Sequence, residues 1–494
     1  MKILFIWPKY PNTFWSFKYA LPFISKKAAF PPLGLLTVSS LLPKEWDKKL
    51  IDMNVENLTD DDIKRSDMVF VSAMIVQKES AREVLKRCRR LGVKTVAGGP
   101  LFTTGSEDFE NEVDCFVLNE AEATLPLFLA DLKNGFLKPV YRSPVFPNIT
   151  GTPVPDWSLL KFKHYSSMSI QYSRGCPFNC EFCDIVVMNG RVPRTKTKEQ
   201  VVSELESLYT RGWRGAVFFV DDNFIGNKIK LQQEILPAII EWMEKKKYPF
   251  SFNTEASINL SDDEKTMQMM VRAGFDTVFV GIETPDENSL QECGKFQNKN
   301  RNLIDSIKRL QKGGLQVQAG FIVGFDSDTP SIFDRQINFI QRSGIVTAMV
   351  GILGALPKTR LYQRLEKEGR LIKNTSGNNV DGTINFVPKM GADVLSKGHR
   401  RILKTIYSPD NYYARIRTFL KNYQLPKKSK IRIKADDLKA FLKSIWFQGI
   451  WGKERPHYWQ LLFWSLFNRP RLFPLAVTLS IYGVHFRKIS ENNP

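Results

Sequence analysis

Ser173-Arg174-Gly175-Cys176-Pro177-Phe178-Asn179-Cys180-Glu181-Phe182-Cys183-Asp184 is the most informative stretch of this 494-residue chain. Its three cysteines, Cys176, Cys180 and Cys183, follow a C-x3-C-x2-C pattern. Three thiolates at this spacing can bind a cubane [4Fe–4S] cluster, with one thiolate on each of three irons. The fourth iron is then left without a protein ligand. An open coordination position is typical of a catalytic metal site.

Two other uses of these cysteines are disfavoured by the rest of the sequence. A zinc ion needs a fourth ligand, and the nearest histidine, His164, lies twelve residues upstream of Cys176. A disulfide framework is not expected in a chain of this length with six cysteines. Cys88, Cys115 and Cys293 are scattered, and we interpret them as small buried apolar residues.

Length and composition indicate a globular protein of two or three domains, because 494 residues are too many for one hydrophobic core. The start of the chain reads as a β-strand ended by Pro8 and lacks the cleavage site of a signal peptide. The most apolar window, 472–484, contains Pro474 and Gly483 and is too short to span a bilayer. We therefore expect a protein of the reducing cytoplasm, where thiolates can hold a cluster.

Charge and aromatic residues concentrate towards the C-terminus. The net charge is +20, and residues 391–494 carry 20 Lys and Arg against 6 Asp and Glu, with four of the ten tryptophans. A basic, aromatic surface favours a membrane or a nucleic acid as partner. An ordinary basic helical domain with its aromatic residues in the core is the alternative, because charge informs on partners and not on fold.

Residues 1–138 alternate predicted strands with predicted helices. Strand-like runs occur at 2–7, 49–52, 68–72, 94–97 and 115–118, and helical spacing of apolar residues occurs at 34–42, 78–91 and 123–134. This order predicts an α/β domain with a doubly wound, Rossmann-like parallel sheet, whose ligand site lies at the carboxyl ends of the strands. No G-x-G-x-x-G motif follows the first strand, so a dinucleotide is not favoured.

Three further segments complete the predicted organisation. Residues 139–165 contain five prolines and read as a linker. In residues 166–388, strands at 167–172, 216–221, 251–254, 277–281, 316–323 and 348–353 alternate with helices, which predicts a partial (β/α)6 TIM barrel. Its chemistry is expected in the loops after the strands, and the cysteines follow the first one. Residues 389–494 are predicted to be mostly helical, with an apolar stretch at 458–467 that suits either a membrane interface or a buried helix ended by Pro470.

The cysteine pattern on a six-unit barrel resembles the radical S-adenosylmethionine (SAM) enzymes. The N-terminal segment looks like the cobalamin-binding domain of one large branch of that superfamily. The tail is similar to the C-terminal domain of a subgroup that includes the hopanoid C-2 methylase and the bacteriochlorophyll side-chain methylases. The resemblance covers the whole chain and rests on motifs at 31–35 (PPLGL), 97–102 (AGGPLF), 119–122 (NEAE), 219–224 (FVDDNF) and 281–284 (GIET).

The resemblance implies a mechanism in which the cofactors carry the reaction. SAM would chelate the open iron, and an electron, supplied by a donor such as ferredoxin or flavodoxin, would cleave it to a 5′-deoxyadenosyl radical. A second SAM would methylate cobalamin, from which the methyl group passes to a carbon of the substrate. A lipid-like or tetrapyrrole substrate, of hopanoid or bacteriochlorophyll type, is implied, presented to a cytoplasmic enzyme at a membrane surface.

The resemblance also implies SAM-binding residues at the strand ends of the barrel. Polar residues at these ends are candidates for binding the SAM amino group or ribose. An apolar strand edge and the backbone of Phe182 are candidates for contacting adenine. For each acid the alternative is a helix cap or turn residue. The full set is Asp221, Asp222, Asn223, Glu255, Ser257 and Glu283 for the polar contacts, and Phe182, Ile322 and Gly324 for adenine.

Candidate cobalamin-binding residues follow the strands of the first domain, where glycines let the backbone approach a ligand closely. They are Ser72, Gly98, Gly99, Pro100, Asn119, Glu120 and Glu122. Better-known cobalamin domains supply a histidine to cobalt from a D-x-H-x-x-G loop, but the first 160 residues here contain no histidine. We therefore predict cobalamin without a histidine ligand; a domain that binds no cobalamin is the alternative.

Three other functions stay open at this point. A radical enzyme of this branch can catalyse a cyclisation or an oxidation without methyl transfer. The basic charge allows an RNA-modifying enzyme, although we find no appended RNA-binding module, and a nucleic-acid partner is disfavoured. A binding protein without catalysis is least favoured, since it has no use for an open iron.

Overall fold

Six parallel strands form the N-terminal sheet, in the order β2-β1-β3-β4-β5-β6. They are β1 (Lys2–Trp7), β2 (Asp47–Asp52), β3 (Met68–Ser72), β4 (Lys94–Gly98), β5 (Cys115–Val117) and β6 (Val140–Tyr141). The helices between them are α1 (Leu33–Leu41), α2 (Asp60–Lys64), α3 (Lys78–Arg90), α4 (Pro100–Gly105) and α5 (Ala121–Lys133). Strands β1 and β3 are buried along most of their length, as expected for a parallel sheet covered on both faces. The predicted Rossmann-like fold is confirmed.

Strand β6 lies in the segment predicted as a loop. Val140 pairs with Phe116 and Tyr141 with Val117, both in parallel. Tyr141 is buried against Phe128, at 5.7 Å between ring centroids, and its hydroxyl donates a hydrogen bond to Asp131 over 2.9 Å. The packing of Tyr141 therefore accompanies a sixth strand, which could not be predicted from the proline-rich sequence.

A second parallel sheet, in the order β14-β13-β12-β11-β10-β7, forms the partial barrel that the sequence predicts. Its strands are β7 (Ser167–Ile170), β10 (Ala216–Phe219), β11 (Ser251–Glu255), β12 (Phe275–Glu283), β13 (Gln316–Val323) and β14 (Ala348–Ile352), while β8 (Ser173–Arg174) and β9 (Arg194–Thr195) form a separate antiparallel pair. The accompanying helices are α6 (Ile185–Asn189), α7 (Lys198–Thr210), α8 (Lys228–Lys230), α9 (Leu236–Lys245), α10 (Glu264–Ala273), α11 (Glu287–Glu292), α12 (Leu303–Lys312), α13 (Ile332–Ser343) and α14 (Arg360–Lys367). A π-helical turn, Leu231–Ile235, joins α8 to α9.

Local sequence signals explain where several of these helices begin and end. Helix α7 starts at a capping box, in which Thr197 and Gln200 each bond the other's backbone N–H group. Helix α10 ends at Gly274, whose φ of +107° lies in the left-handed region that favours glycine. The buried residues of α12 recur at helical spacing and face the barrel strands, so the amphipathic pattern predicts both the helix and its orientation.

The C-terminal part is helical, as predicted: α15 (Ala392–Ile406), α16 (Pro409–Asn422), α17 (Ala435–Ser444), α18 (Arg455–Asn468) and α19 (Phe473–Asn492), with a π-helical turn, Ile445–Ile450, after α17. This computed structural model describes residues 1–372, 375–378, 380–425 and 435–492; the parts of the predicted helical tail at 426–434 and 493–494 lie outside them. Helix α19 packs on the segment after β1, where Phe14 and Phe486 stack at 4.4 Å between ring centroids. Within the described ranges, no helix combines the length and the apolar character that a membrane span requires.

Candidate active site

The cysteine loop leaves β8 through Gly175, whose φ is +99°. A side chain at this position would bring a Cβ to within 2.9–3.0 Å of the carbonyl oxygens of Asn189, Gly190 and Val192. The loop then folds back on α6, because the N–H group of Cys176 donates to the Gly190 carbonyl over 3.2 Å. The turn around the three cysteines is thus fixed by close backbone contacts, and only glycine fits at its start.

Asp221 and Asp222, which follow β10, hold this loop through hydrogen bonds. Asp221 is buried and accepts hydrogen bonds from the N–H groups of Tyr172 and Ser173, over 3.1 and 2.5 Å, and from the Ser173 hydroxyl. Asp222 accepts the N–H group of Gly175 over 2.7 Å and the amide of Asn189 over 2.9 Å. Burial raises the pKa of Asp221 to about 7, although the bonds from Ser173 and Tyr172 oppose the rise. Both carboxyl groups are therefore used by the loop that carries the cysteines.

Each of the three cysteine sulfurs has a nearby backbone N–H group as a hydrogen-bond donor. Burial raises the pKa of each thiol, while N–H groups of the loop oppose that rise: those of Phe178 at Cys176, of Cys180 at its own sulfur and of Ile185 at Cys183. N–H groups aimed at sulfur are what a cluster-bound thiolate uses, so this donor set fits an iron–sulfur cluster. Among the described residues, no three His, Cys, Asp or Glu side chains gather around one point as ligands of a single metal ion.

A buried ion pair, Lys295 with Glu283, lies beside the cysteines. The Lys295 ammonium is 2.7 Å from a Glu283 carboxylate oxygen, and both side chains are largely buried. Burial opposes the charge of Lys295, but the Glu283 carboxylate and the Cys180 thiolate together raise its pKa above the ordinary value. A Cβ at Gly281 would lie 2.6 Å from the Lys295 nitrogen, so glycine leaves room for the pair. The sequence pattern predicts Glu283 but gives no signal for Lys295.

Asn223, Glu255 and Ser257 meet at the neighbouring strand ends. The Asn223 amide donates to the Ser257 hydroxyl over 3.2 Å, and its carbonyl oxygen accepts the Ser257 N–H group over 3.2 Å. Glu255 ends β11 and is half-buried. Burial, and then the charge of Asp222, raise the pKa of Glu255 to about 8. A positively charged ligand beside Glu255 would lower this pKa again, because it stabilises the ionised carboxylate. Glu255 can therefore serve as a binding site for a cationic group at the barrel mouth.

Phe182 and Ile322 belong to one apolar cluster next to the cysteine loop. Both pack against a core that includes Phe325, Leu353 and Cys293, and the rings of Phe182 and Phe325 are 6.3 Å apart. Gly324 follows with a φ of +107°, and a Cβ there would lie 2.9 Å from Leu395 of α15. Two of the three predicted adenine contacts, Phe182 and Ile322, therefore pack against the same apolar cluster, whereas Gly324 gives α15 room to approach the barrel.

The carboxyl edge of the N-terminal sheet gathers Ser72, Gly98, Gly99, Pro100 and Asn119. A Cβ at Gly98 would lie 2.6 Å from the Val117 carbonyl oxygen, and one at Gly99 would lie 2.3 Å from the Ser72 hydroxyl, so both glycines serve close packing between strand ends. Asn119 has a φ of +65°, and its side-chain oxygen is buried with no hydrogen-bond partner among the described residues. An unpaired amide oxygen at a sheet edge fits a missing ligand with polar substituents, as cobalamin has.

Glu120 and Glu122, from the same motif, connect the edge of the N-terminal sheet to the separate β8–β9 pair, next to the cysteine loop. Arg174 donates to Glu120 over 2.6 Å and to Glu122 over 2.9 Å, and Arg194 donates to Glu120 over 2.6 Å. All four side chains are largely buried. Lys358, after β14, adds a bond of 3.1 Å to the Thr103 carbonyl oxygen. The carboxyl edges of the two sheets therefore face each other, and Arg174, two residues before Cys176, was not singled out by the sequence pattern.

Family models match three parts of the chain: a B12 binding domain at 24–129, the Radical SAM superfamily at 170–340 and a domain of unknown function (DUF4070) at 359–493. The hopanoid C-2 methylase of Rhodopseudomonas palustris is 34% identical, over 93% of this chain and 88% of its own length. The chain belongs to the radical SAM enzymes that carry a cobalamin-binding domain. An uncharacterised methyltransferase of Synechocystis sp. is 41% identical, over 99% of this chain and 92% of its own length.

Family membership confirms the predicted class of enzyme, a cobalamin-dependent radical SAM methyltransferase, and its cofactors: a [4Fe–4S] cluster, SAM and cobalamin. The fold agrees with that of the cobalamin-dependent SAM radical enzyme OxsB, solved with aqua-cobalamin and SAM bound. The two share a TM-score of 0.64 at 16% identity, over 100% of this chain and 84% of the other. At that identity the comparison shows only that the two folds are similar.

Proposed function

We propose that this enzyme transfers a methyl group to a carbon atom of a largely apolar, polycyclic substrate of the hopanoid type. The observation that carries the proposal is the aromatic lining of the barrel. Along β12, Val278, Val280 and Ile282 are buried against the helices, whereas Phe279 on the opposite face is only half-buried. Trp15, from the segment after β1, contacts the Phe279 ring edge-on at 5.4 Å.

The lining continues on two other strands of the same sheet, β10 and β13. Phe30 packs on Phe218 of β10 at 5.3 Å between ring centroids. Gly320 of β13 lies between Phe279 and Met349, with its missing Cβ 3.0 and 3.6 Å from their side chains. Half-buried aromatic rings and a methionine suit an apolar, flat ligand, because most of the binding free energy then comes from apolar area removed from water. The relatedness to the hopanoid C-2 methylase supports the same substrate class.

The residues at the two facing sheet edges receive separate roles in this proposal. Cys176, Cys180 and Cys183 hold the cluster, and Phe182 and Ile322 flank the adenine of SAM. Glu255 receives the SAM ammonium group, while Asn223 and Ser257 bind its ribose. When bound, the cluster and the two organic cofactors supply the radical and the methyl group.

The remaining predicted residues orient and enclose the site. Asp221 and Asp222 hold the cysteine loop through the hydrogen bonds described above, and Glu283 keeps the Lys295 ammonium close to the thiolates. Ser72, Gly98, Gly99, Pro100 and Asn119 form the face toward cobalamin. Glu120 and Glu122 hold the N-terminal domain against the β8–β9 pair, which keeps water out of the space next to the cysteine loop.

Anaerobic turnover with a hopanoid, SAM and a low-potential reductant tests the function. We expect a product in which a methyl group replaces one hydrogen atom of the substrate, formed together with 5′-deoxyadenosine and S-adenosylhomocysteine in equal amounts. A strain that lacks the gene is expected to lose a methylated lipid, and mass spectrometry of its lipid and pigment extracts identifies the compound. A methyl group lost from a pigment instead would replace the hopanoid by a tetrapyrrole.

Two variants separate substrate binding from the rest of the reaction. Phe279→Ala is expected to raise the KM for the substrate at least about tenfold, because an aromatic contact of 1.5–3 kcal/mol is lost. Exposed Phe136→Ala serves as the control for an aromatic truncation away from the barrel. Formation of 5′-deoxyadenosine without S-adenosylhomocysteine would contradict methyl transfer and favour a cyclisation or an oxidation.

A further inference from the structure

Residues 438–467 of the helical part carry an apolar surface that faces solvent. Leu438, Leu442, Trp446 and Ile450 follow one another at intervals of four residues and are each 48–58% exposed. Such spacing places them in one row along α17 and the π-helical turn after it. Phe447 and Trp451 extend the row, and Phe463, Leu466 and Phe467 of α18 add a second exposed row. We call these nine residues the apolar hairpin.

The exposed apolar side chains are concentrated in the hairpin and are not scattered evenly over the surface. The described residues contain 23 exposed large apolar side chains, and nine of them fall within 438–467. Trp451 is 72% and Phe467 79% exposed, so neither contributes much to the core of the domain. Patches of this kind mark binding sites for a protein, a ligand or a membrane, because isolated apolar residues would not gather in this way.

The two halves of the hairpin are rigidly connected. Trp459 of α18 donates its indole N–H to the Gly449 carbonyl oxygen over 3.0 Å, and its ring stacks on Phe463 at 5.8 Å. Ser444 and Tyr458 share a hydrogen bond of 2.7 Å behind the exposed rows. The two rows therefore belong to one preformed surface, which does not have to be ordered when it binds.

Charge around the hairpin favours a negatively charged partner. Lys453 and Arg455 are exposed at the turn between its two halves. Glu454 between them is turned inward and paired with Arg487. Across 435–471 there are six Lys and Arg against three Asp and Glu. A basic rim beside exposed tryptophans and phenylalanines matches the interface of a bilayer with anionic lipids.

The hairpin is also connected to the barrel. Phe447 packs on Phe23 at 5.8 Å, and the Lys443 ammonium donates to the Pro22 carbonyl oxygen over 2.8 Å. Phe23 belongs to the same segment after β1 as Trp15, which contacts Phe279 inside the barrel. A lipid leaving a bilayer at the hairpin would thus meet aromatic side chains on the way to the barrel.

We propose that the apolar hairpin docks this enzyme on the surface of an anionic phospholipid bilayer, with its nine apolar side chains in the interface and Lys453 and Arg455 on the headgroups. The proposal deepens the proposed function, because it gives an apolar substrate a place of entry. Its test requires no turnover, so docking and methyl transfer can fail independently.

Flotation of the full-length protein with vesicles tests the docking. We compare vesicles of phosphatidylcholine alone with vesicles that contain phosphatidylglycerol, both free of hopanoid and SAM. The triple variant Leu442→Ser, Trp451→Ser, Phe467→Ser is expected to bind the anionic vesicles at least about tenfold more weakly, because its buried apolar area is smaller. Lys453→Glu with Arg455→Glu is expected to weaken binding at least about fivefold per residue on anionic vesicles only.

A control replaces three exposed large apolar residues elsewhere, Phe136→Ser, Tyr248→Ser and Phe296→Ser, and is expected to bind as the wild type does. Thermal unfolding checks that both triple variants are folded. Wild-type protein that stays unbound on anionic vesicles at low salt overturns the proposal. So does a hairpin variant that binds vesicles normally but changes the oligomeric state in sedimentation velocity, since the surface would then join two copies of the chain.

Discussion

Gly175 has a backbone conformation and surroundings that exclude any residue with a side chain. Its positive φ costs a non-glycine residue about 1–2 kcal/mol, and three carbonyl oxygens also occupy the space that a Cβ would take. The residue precedes Cys176 directly, and its N–H group is held by Asp222. Conformation, crowding and hydrogen bonding at one residue thus decide where the first thiolate points.

Gly175→Ala is therefore expected to displace the cysteine loop and to lower iron incorporation at least about twofold. The measurement is iron and sulfide content per protein after anaerobic reconstitution. Gly212→Ala is the control, because Gly212 has a similar φ of +87° but open space around its Cβ position. Gly212→Ala should lose some stability and keep its iron; equal iron loss in both variants would contradict the prediction.

At the scale of elements, the ends of β10, β11 and β12 bring four carboxyl groups together. Asp221, Asp222, Glu255 and Glu283 share this edge with one buried cation, Lys295. Adjacent parallel strands end at the same edge of a sheet, so the sequence predicts the gathering of the acids. The different roles of these acids follow from hydrogen bonds between elements. Asp221 and Asp222 bond the segment that carries the cysteines, while Glu255 faces the barrel mouth.

Stability should fall with rising pH because of Glu255 and Asp221. The pKa of Glu255 is about 8 and that of Asp221 about 7, above their ordinary values of 4.5 and 3.8. Between the ordinary and the raised value, the folded protein binds more protons than the unfolded chain, so the free energy of unfolding decreases as the pH rises. Each such proton changes that free energy by at most about 1.4 kcal/mol per pH unit.

Glu255→Gln should flatten the pH dependence between pH 5 and 8 and stabilise the metal-free protein most at the upper end of this range. Urea unfolding at a series of pH values measures the effect. Glu241→Gln, on the exposed side of α9, removes a carboxylate without burial and should leave the slope unchanged. A slope that is equally steep in Glu255→Gln would show that this carboxyl group ionises normally.

At the scale of the whole molecule, the contacts described for the four histidines are all with groups other than Ser72, Gly98 and Asn119 at the carboxyl edge of the N-terminal sheet. His399 bonds the Val350 carbonyl oxygen, and His457 lies 3.5 Å from Asp410. The nitrogens of His485 contact the Phe14 carbonyl oxygen and the Tyr19 N–H group, over 2.8 and 3.4 Å. His164 lies among lysines outside the barrel. This arrangement supports the prediction of cobalamin without a histidine ligand.

Electron paramagnetic resonance of the protein loaded with cob(II)alamin measures this directly. We expect a spectrum whose nitrogen superhyperfine splitting, if any, does not change when the protein is labelled with ¹⁵N-histidine. Unlabelled protein prepared in the same way is the control. A splitting that changes with the label would contradict the prediction and would place one of the four histidines on cobalt.

The order of strands and helices could be predicted from hydrophobic periodicity and the cluster from cysteine spacing, because both are local properties of the sequence. The family, SAM and cobalamin followed from the resemblance of its motifs to those of the radical SAM enzymes. The bounds predicted for β1, β3 and β13 agree with the structure to the residue. Strand β6 was missed because a two-residue strand has no period, and Lys295 was missed because its partners come from β12 and the cysteine loop. Only the tertiary structure decided that Asp221, Glu120 and Glu122 face protein groups and that nine apolar side chains share one exposed surface. Such pairings depend on which distant elements are packed together, and that information lies outside any local window of the chain.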